Sequence, residues 1–140
     1  MNSDPALLVQ LQSMLSKSMR SLKAARRHQA EGDFDFAASR AYYATFYVME
    51  AALLTQGVTC STHSGVLATF SERFIKTGML PAEFGAKAAR LFRERQVGDY
   101  EFDVSVTGSD AEQDVATAVD MVTAIERLIR SFLPRTGAGD

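Results

Sequence analysis

The feature that most constrains this chain is a nearly unbroken apolar run at its centre, from Ala41 to Leu54. The run has 14 residues and a single charge, Glu50. A membrane-spanning helix needs about 20 apolar residues, so this run predicts a helix buried inside a protein. The segment that contains it, SRAYYATFYVMEAALL, is apolar on nearly every face. We therefore expect other helices, or a partner chain, to surround it.

Helix start and stop signals place four further helices around this one. Asp4 followed by Pro5 is a typical helix start, and Ser109 with Glu112 has the spacing of a capping box. Glycines mark most of the predicted helix ends. The predicted helices run from Asp4 to Gly32, Asp33 to Gln56, Ser61 or Thr62 to Gly78, Pro81 to just before Gly98, and Ser109 to Pro134.

One segment departs from helical periodicity. From Tyr100 to Val106, apolar residues alternate with polar ones, as they do in a β-strand. Because no other segment offers a partner strand and a lone strand is not stable, we expect an extended loop before the last helix. The fold class that follows is all-α, an up-and-down bundle of about five helices. It forms one domain over residues 1–133, with a disordered tail at 134–140.

Composition limits the functions that are open to the chain. Its 140 residues carry a net charge of −2, so any binding of nucleic acid has to come from a local patch. The single cysteine, Cys60, excludes an internal disulfide and a cysteine-based zinc site and fits a cytoplasmic protein. Residues 1–10 lack the pattern of a signal peptide. His28 and His63 have no carboxylate at ligand spacing, so we expect neither a metal nor a cofactor.

The central helix carries a polar stripe. Arg40, Tyr43, Tyr47 and Glu50 are spaced three, four and three residues apart, so they share one face. One interpretation is a partly exposed helix edge, with the tyrosines in the core and their hydroxyls satisfied. The other places Arg40 beside a pocket, because a charge in an apolar setting must be paired or serve a site.

A second group of charges lies at the end of the fourth helix, in LFRERQVGDYEF. Arg93 and Arg95 precede Gly98, and Asp99 and Tyr100 follow it. Arginines here can bind phosphate through charge-assisted hydrogen bonds. The simpler alternative is a structural helix end, in which Asp99 pairs with Arg95 or Arg93.

Four motifs follow one another in the order SRAYYATFY (after GDFDFA), THSGV, FIKTG and RERQVGDY. Together they resemble the HEPN domains (higher eukaryotes and prokaryotes nucleotide-binding), in particular the small single-domain prokaryotic branch, from about Leu22 to Leu133. The resemblance implies a helical bundle that forms a homodimer, with a cleft at the interface built from the second helix and the end of the fourth. It also implies a metal-independent ribonuclease, often a toxin, whose antitoxin is frequently a minimal nucleotidyltransferase.

The nuclease motif of that family is an arginine, four to six residues and then a histidine. Arg95 matches the arginine, but Tyr100 stands where the histidine would fall. In the mechanism that the resemblance implies, the arginine holds the scissile phosphate and the histidine moves a proton to or from the ribose hydroxyl. A tyrosine hydroxyl, with an ordinary pKa of about 10, is a poor base near pH 7. Cleavage would then be slow and depend on Tyr100, Asp99 or a partner residue.

The resemblance also suggests which residues would contact RNA. Arg90 and Arg93 share a face of the fourth helix, and two copies across a two-fold axis would double the local positive charge. Arg40 and Tyr43 of the central helix complete the predicted RNA- or nucleotide-binding set.

Two function classes therefore remain open. The first is an RNA-directed, toxin-type protein whose activity is weakened or altered by Tyr100. The second is a non-catalytic module that binds nucleotide or a nucleotidyltransferase, which could adenylylate Tyr100, although the modified tyrosine of the family would fall at Phe102. His63 lies in CSTHSG at a helix start, where we expect it to cap the helix or lie on the surface; the alternative is a role in the cleft.

Overall fold

A computed structural model describes residues 4–100, 102 and 106–134. Over these residues the chain forms five α-helices and no β-strand, which confirms the all-α prediction. A π-helical turn, Ser71–Ile75, continues the third helix. The helices are α1 (Pro5–Glu31), α2 (Phe34–Leu54), α3 (His63–Phe70), α4 (Phe84–Tyr100) and α5 (Gly108–Phe132).

The apolar helix α2 is the centre of the bundle and contacts the other four helices. Its six alanines are fully buried, and their small side chains let the neighbouring helices approach closely. Two serines of α1 bond to its backbone: Ser18 Oγ donates to the Ala44 oxygen at 2.7 Å, and Ser21 Oγ donates to the Arg40 oxygen at 2.8 Å. The chain's own helices therefore cover the apolar run, which is the first of the two arrangements that the sequence allowed.

The predicted end of α4 before Gly98 is wrong, because the helix continues to Tyr100. A Cβ atom at Gly98 would lie 2.8 Å from the backbone oxygen of Asp35, at the start of α2. This glycine is therefore a packing residue that lets α4 and α2 touch backbone to backbone, and it is not a helix cap. As a result Asp99 and Tyr100 lie on the last helical turn.

The start of α5 also differs from the prediction. The N-cap is Thr107, and the capping box is formed by Thr107 and Asp110 instead of Ser109 and Glu112. The Asp110 N–H donates to Thr107 Oγ1 at 3.0 Å, and the Thr107 N–H donates to Asp110 Oδ2 at 3.3 Å. Both pairs have the spacing of a capping box, and the earlier pair begins the helix sooner because Thr107 has the extended backbone of an N-cap.

Three other boundaries shift by a few residues. α2 ends at Leu54 rather than Gln56, since the chain turns there and reaches Gly57 with a positive φ of 72°. α4 begins after Pro81, because the Phe84 N–H bonds to an oxygen only three residues back, as in a tight turn. α3 keeps α-helical geometry to Phe70, and the π-helical turn extends it to Ile75, whereas the predicted end was Gly78.

The predicted N-cap of α1, Asp4, is confirmed by a 3.0 Å hydrogen bond from the Ala6 N–H.

The predicted extended loop from Tyr100 to Val106 lies largely outside the described residues, as do residues 135–140 of the predicted tail. Val106 itself is buried, and Phe102 is almost fully exposed. Within the part of the chain that the structure describes, no helix is both long and apolar enough to span a membrane.

Replacing Gly98 by alanine is expected to lower the free energy of unfolding by about 1–3 kcal/mol, since the new Cβ would collide with the Asp35 backbone. Gly85, also in α4, is the matched control. Beyond its own helical turn, no described atom lies within 4 Å of a Cβ at Gly85, and helix propensity favours alanine there by up to about 1 kcal/mol. Urea denaturation measures the free energy of unfolding of both variants. If Gly98→Ala were as stable as Gly85→Ala, the close packing at Gly98 would be contradicted.

Candidate functional site

The candidate site centres on Arg95, which packs its side chain against α2 and is only 8% exposed. Its guanidinium carbon lies 5.1 Å from the ring centroid of Tyr42, 5.4 Å from Phe92, 5.7 Å from Tyr43 and 5.9 Å from Tyr100. We call these four rings the aromatic cage. All four distances lie in the range of cation–π attraction, which is stronger where water is excluded.

Two features of the fold bring this site together. Phe92 and Arg95 are three residues apart on α4, so they share the face that meets the tyrosines of α2. The backbone contact at Gly98 holds α4 close enough for that meeting, and the helical turn that follows it places Tyr100 within reach of the guanidinium.

The polar partners of Arg95 leave part of its guanidinium unused. Asp99, one helical turn later, has an oxygen 3.6 Å from Arg95 Nη1, which is longer than a good charge-assisted hydrogen bond. Arg95 Nε is buried and has no hydrogen-bond partner among the described residues. A buried donor without a partner costs free energy, so the site favours an additional acceptor. The pairing of Asp99 with Arg95 that the sequence offered as an alternative is present, and the Tyr42 hydroxyl is a second polar neighbour of the guanidinium, but Nε stays without a partner in the described part of the chain.

His63 lies beside the two cage tyrosines of α2, Tyr42 and Tyr43. Its Nδ1 is 2.7 Å from the hydroxyl oxygen of Tyr42, and its ring stacks on Phe46 with the centroids 4.2 Å apart. The helix cap is supplied by Thr62, whose Oγ1 accepts the Gly65 N–H at 2.9 Å. Of the roles expected for His63, capping is wrong, because the preceding threonine has the extended backbone that an N-cap requires. The His63 side chain is partly exposed.

The environment fixes the protonation of both groups in the Tyr42–His63 pair. Burial, followed by the positive charge of Arg95, lowers the pKa of the His63 imidazole below its ordinary value. Burial raises the pKa of the Tyr42 hydroxyl well above its ordinary value, even though Arg95 acts in the opposite direction. Near pH 7 the site therefore holds a neutral imidazole and a neutral phenol beside a permanent cation.

The residues of the polar stripe of α2 lie in different surroundings, some near the aromatic cage and one at a separate cavity. Arg40 lies 4.9 Å above the ring of Tyr43, so it joins the neighbourhood of the cage. Lys17 of α1 lies 4.9 Å above the ring of Tyr47. Glu50 lines a separate cavity of about 130 Å³, and burial raises the pKa of its carboxyl. The stripe is partly exposed along its length, as the first interpretation of the sequence expected.

Arg90 and Arg93 of α4 have other surroundings. Arg90 lies among three carboxylates: its Nε is 3.1 Å from Asp114, and its Nη2 is 3.4 Å from Glu94 and 3.6 Å from Asp110. It therefore joins α4 to α5. Arg93 is exposed and borders a groove between α3 and α4. Of the predicted RNA-binding residues, Tyr43 lies beside Arg95, and Arg40 lies over the ring of Tyr43.

One group of side chains has the composition of a cation site, at the turn between α1 and α2. Possible ligand atoms of His28, Glu31 and Asp33 all lie within 4.8 Å of one another. The prediction that no carboxylate lies at ligand spacing from a histidine is therefore wrong for His28, because the helix end brings Glu31 and Asp33 beside it. The two carboxylates are exposed.

The sequence identified Arg95 as a site residue but did not indicate that Tyr42 and His63 belong to the same site. Tyr42 lies on the buried face of α2 and reads as a core residue, while His63 lies 21 positions later. No spacing rule connects two residues in different helices. The nearest signal is the presence of a histidine at the start of a helix that already has a threonine cap.

Sequence comparison relates the chain to HEPN domains. A family model described as HEPN domain matches residues 11–130. A UPF0332 protein of Thermotoga maritima is 41% identical over 96 residues, which are 69% of this chain and 73% of that protein. A protein of Methanocaldococcus jannaschii named "Putative toxin MJ0142" is 35% identical over 103 residues, which are 74% of this chain and 70% of that protein.

A solved structure has the same fold. The crystal structure of ST0689, an archaeal HEPN homologue, superposes on this chain with a TM-score of 0.67. The match covers 92% of this chain and 99% of that one, at 16% sequence identity. At so low an identity the likeness concerns the fold alone.

The carboxylates around Arg90 make stability depend on pH. Burial and then the neighbouring Glu94 raise the pKa of Asp114 from 3.8 to about 7, so the folded chain holds a proton that the unfolded chain releases. Stability from this group is therefore lost as pH rises from about 4 to 7. Between pH 8 and pH 5 we expect the wild type to gain on the order of 1 kcal/mol relative to Asp114→Asn, measured by urea denaturation. If the free energies of unfolding of the two proteins changed equally with pH, the raised pKa of Asp114 would be contradicted.

Proposed function

The chain belongs to the HEPN domain family, and we propose that it is a toxin-type member that binds RNA at Arg95 and cleaves it without a metal ion. Two relatives from Methanocaldococcus jannaschii bear the name "Putative toxin", one of them 27% identical over 89% of this chain. The observation that carries the proposal is the state of Arg95. Its guanidinium is buried in the aromatic cage, with one carboxylate at 3.6 Å and an Nε that has no partner among the described residues.

A phosphate group suits this guanidinium. Arginine presents a rigid fork of N–H donors that matches two phosphate oxygens, and the bonds gain strength where water is excluded. The 3.6 Å contact of Asp99 with Arg95 is loose, so a phosphate can take its place without breaking a strong hydrogen bond. Arg95 would thus hold the scissile phosphate.

The aromatic residues beside Arg95 support single-stranded RNA as the substrate. Tyr100 is 69% exposed, and Tyr43 and Tyr47 are partly exposed. Arg40 and Lys17 lie over the rings of Tyr43 and Tyr47. Rings with cations beside them are what unpaired bases stack on, whereas the bases of a duplex are already stacked on each other.

We further propose a homodimer as the active form. The stripe of Arg40, Tyr43 and Tyr47 stays partly exposed after the other helices have packed on α2, so a second copy can meet it there. A two-fold axis at this stripe would bring two Arg95 corners near each other. The local positive charge would then exceed what one chain of net charge −2 offers to RNA.

A second candidate function is a non-catalytic module that pairs with a minimal nucleotidyltransferase. The exposure of Tyr100 favours it, because the hydroxyl of a residue on the last turn of α4 is accessible to a modifying enzyme. In this case Arg95 and Arg40 would bind a nucleotide or a partner surface, and no RNA would be cut.

Purified wild type is expected to cleave a labelled single-stranded RNA in the presence of EDTA, because no step requires a metal. Arg95→Ala should lose at least about 100-fold in cleavage rate, the typical effect of removing a group that stabilises transition-state charge. Arg95→Lys should recover little, since an ammonium lacks the planar fork. Arg130→Ala is the matched control, because this exposed arginine pairs with Glu126 on α5.

Each remaining outcome has a definite meaning. Cleavage that disappears with EDTA would contradict the metal-free proposal. RNA binding without cleavage in the wild type would favour the second candidate in its nucleotide-binding form. If the wild type neither binds nor cleaves RNA, Arg95 serves a protein partner or the helix end.

A further inference from the structure

The proposed cleavage lacks a base, because Tyr100 replaces the histidine of the family's motif. We infer that His63 of α3 is the catalytic base for the ribose 2′-hydroxyl, held in position by Tyr42. This inference rests on the proposed function. It concerns a histidine that lies before Arg95 in the sequence and in a different helix.

The first argument is that His63 and Arg95 lie beside the same two tyrosine rings. The ring of His63 lies 5.8 Å from the Tyr42 ring and 5.9 Å from the Tyr43 ring. The guanidinium of Arg95 lies 5.1 Å and 5.7 Å from the same two rings. The histidine and the arginine therefore have the same two tyrosines as neighbours. In the inferred complex the phosphate of a bound nucleotide meets Arg95 and the adjoining ribose meets His63.

The second argument is orientation. The 2.7 Å contact with the Tyr42 hydroxyl occupies His63 Nδ1, and the stacking on Phe46 at 4.2 Å fixes the plane of the ring. The other nitrogen, Nε2, is then the one available to a substrate, and the His63 side chain is partly exposed. A base whose second nitrogen is held by a polar group is the arrangement that orients catalytic histidines in general.

The third argument is the protonation state. Burial and the charge of Arg95 lower the pKa of His63, so the imidazole is neutral and able to accept a proton near pH 7. Tyr42, Tyr43 and Arg95 are the titratable and charged groups that face it from α2 and α4. In the productive tautomer Nδ1–H donates to the Tyr42 oxygen, which leaves the Nε2 lone pair for the substrate.

The reaction balances without a metal or a cofactor. His63 Nε2 takes the proton of the 2′-hydroxyl, the 2′-oxygen forms a bond to phosphorus, and the bond from phosphorus to the 5′-oxygen breaks. The leaving 5′-oxygen takes a proton from water, and His63 returns its own proton to the solvent. The products are a 2′,3′-cyclic phosphate and a 5′-hydroxyl end. Arg95 neutralises the charge that builds up on the phosphate oxygens.

Other groups near Arg95 fit the role of base less well. Burial raises the pKa of Tyr42, which keeps its hydroxyl protonated and makes Tyr42 a positioning residue. Asp99 is engaged with Arg95 at 3.6 Å. Tyr100 is part of the cage by its ring, and a phenol is a weak base at neutral pH.

The test is single-turnover cleavage of a labelled single-stranded RNA in EDTA, over a range of pH. His63→Ala and His63→Gln are both expected to lose about 100-fold or more in rate, the usual contribution of a general base. Both should bind a 2′-O-methyl RNA, which cannot be cut, within about threefold of the wild type, because Arg95 and the tyrosines remain. His28→Ala, the other histidine, is the matched control and should cleave at the wild-type rate.

The pH–rate profile separates catalysis from a structural effect. The wild-type rate should rise with pH with its midpoint below pH 6.5, the ordinary pKa of histidine, and this rise should be absent from both His63 variants. Tyr42→Phe should keep the rise, lose less than His63→Ala, and shift the midpoint, since the imidazolium loses its acceptor. Thermal unfolding checks that His63→Gln is folded.

The outcomes distinguish this inference from the proposed function. If the wild type cleaves, Arg95→Ala does not and His63→Gln cleaves at the wild-type rate, His63 is not the base and the ribonuclease proposal stands. If His63→Gln is slow and retains the wild-type pH profile, another group moves the proton. If the wild type cleaves no RNA, both the ribonuclease proposal and the role of His63 are overturned.

Discussion

The site depends on the contact between the backbones of α4 and α2. At Gly98 the two helices are so close that no side chain fits between them, and this approach presses Arg95 onto the tyrosines of α2. A guanidinium in that position keeps its charge while losing most of its water, so an anion that reaches it interacts more strongly than at a surface. The chemistry of the site therefore rests on the helical core and not on the segment that follows α4.

The sequence predicted the fold well because helices are specified locally, by apolar periodicity and by residues at their ends. It failed where a residue's role was set by a distant part of the chain. A glycine after an arginine-rich turn normally ends a helix, but Gly98 is a packing residue because Asp35 lies against it. The capping box of α5 shows a milder failure, since two residue pairs had suitable spacing and only backbone conformation separates them.

The same contrast between local and long-range information applies to the candidate site. Arg95 could be identified from its motif, and the stripe of α2 pointed to Arg40 and Tyr43. Arg90 could not be placed, because charge alone does not reveal that Asp114 and Asp110 of α5 reach it. The pairing of Tyr42 with His63 could not be predicted either, since its hydrogen bond and ring contact join two different helices. Residues on one helix can be related by spacing, whereas contacts between helices require the tertiary structure.

The loose ion pair between Arg95 and Asp99 has a consequence for selectivity. A carboxylate tethered one helical turn away acts as a built-in competitor at a high effective concentration. Inorganic phosphate or a mononucleotide must displace it with the binding energy of one group. If the chain binds RNA as proposed, a polynucleotide would displace it with additional phosphates and stacked bases along the surface of α2. The ion pair would then discriminate polymers from monomers. Under that proposal the site would remain available to RNA in a solution rich in small phosphates.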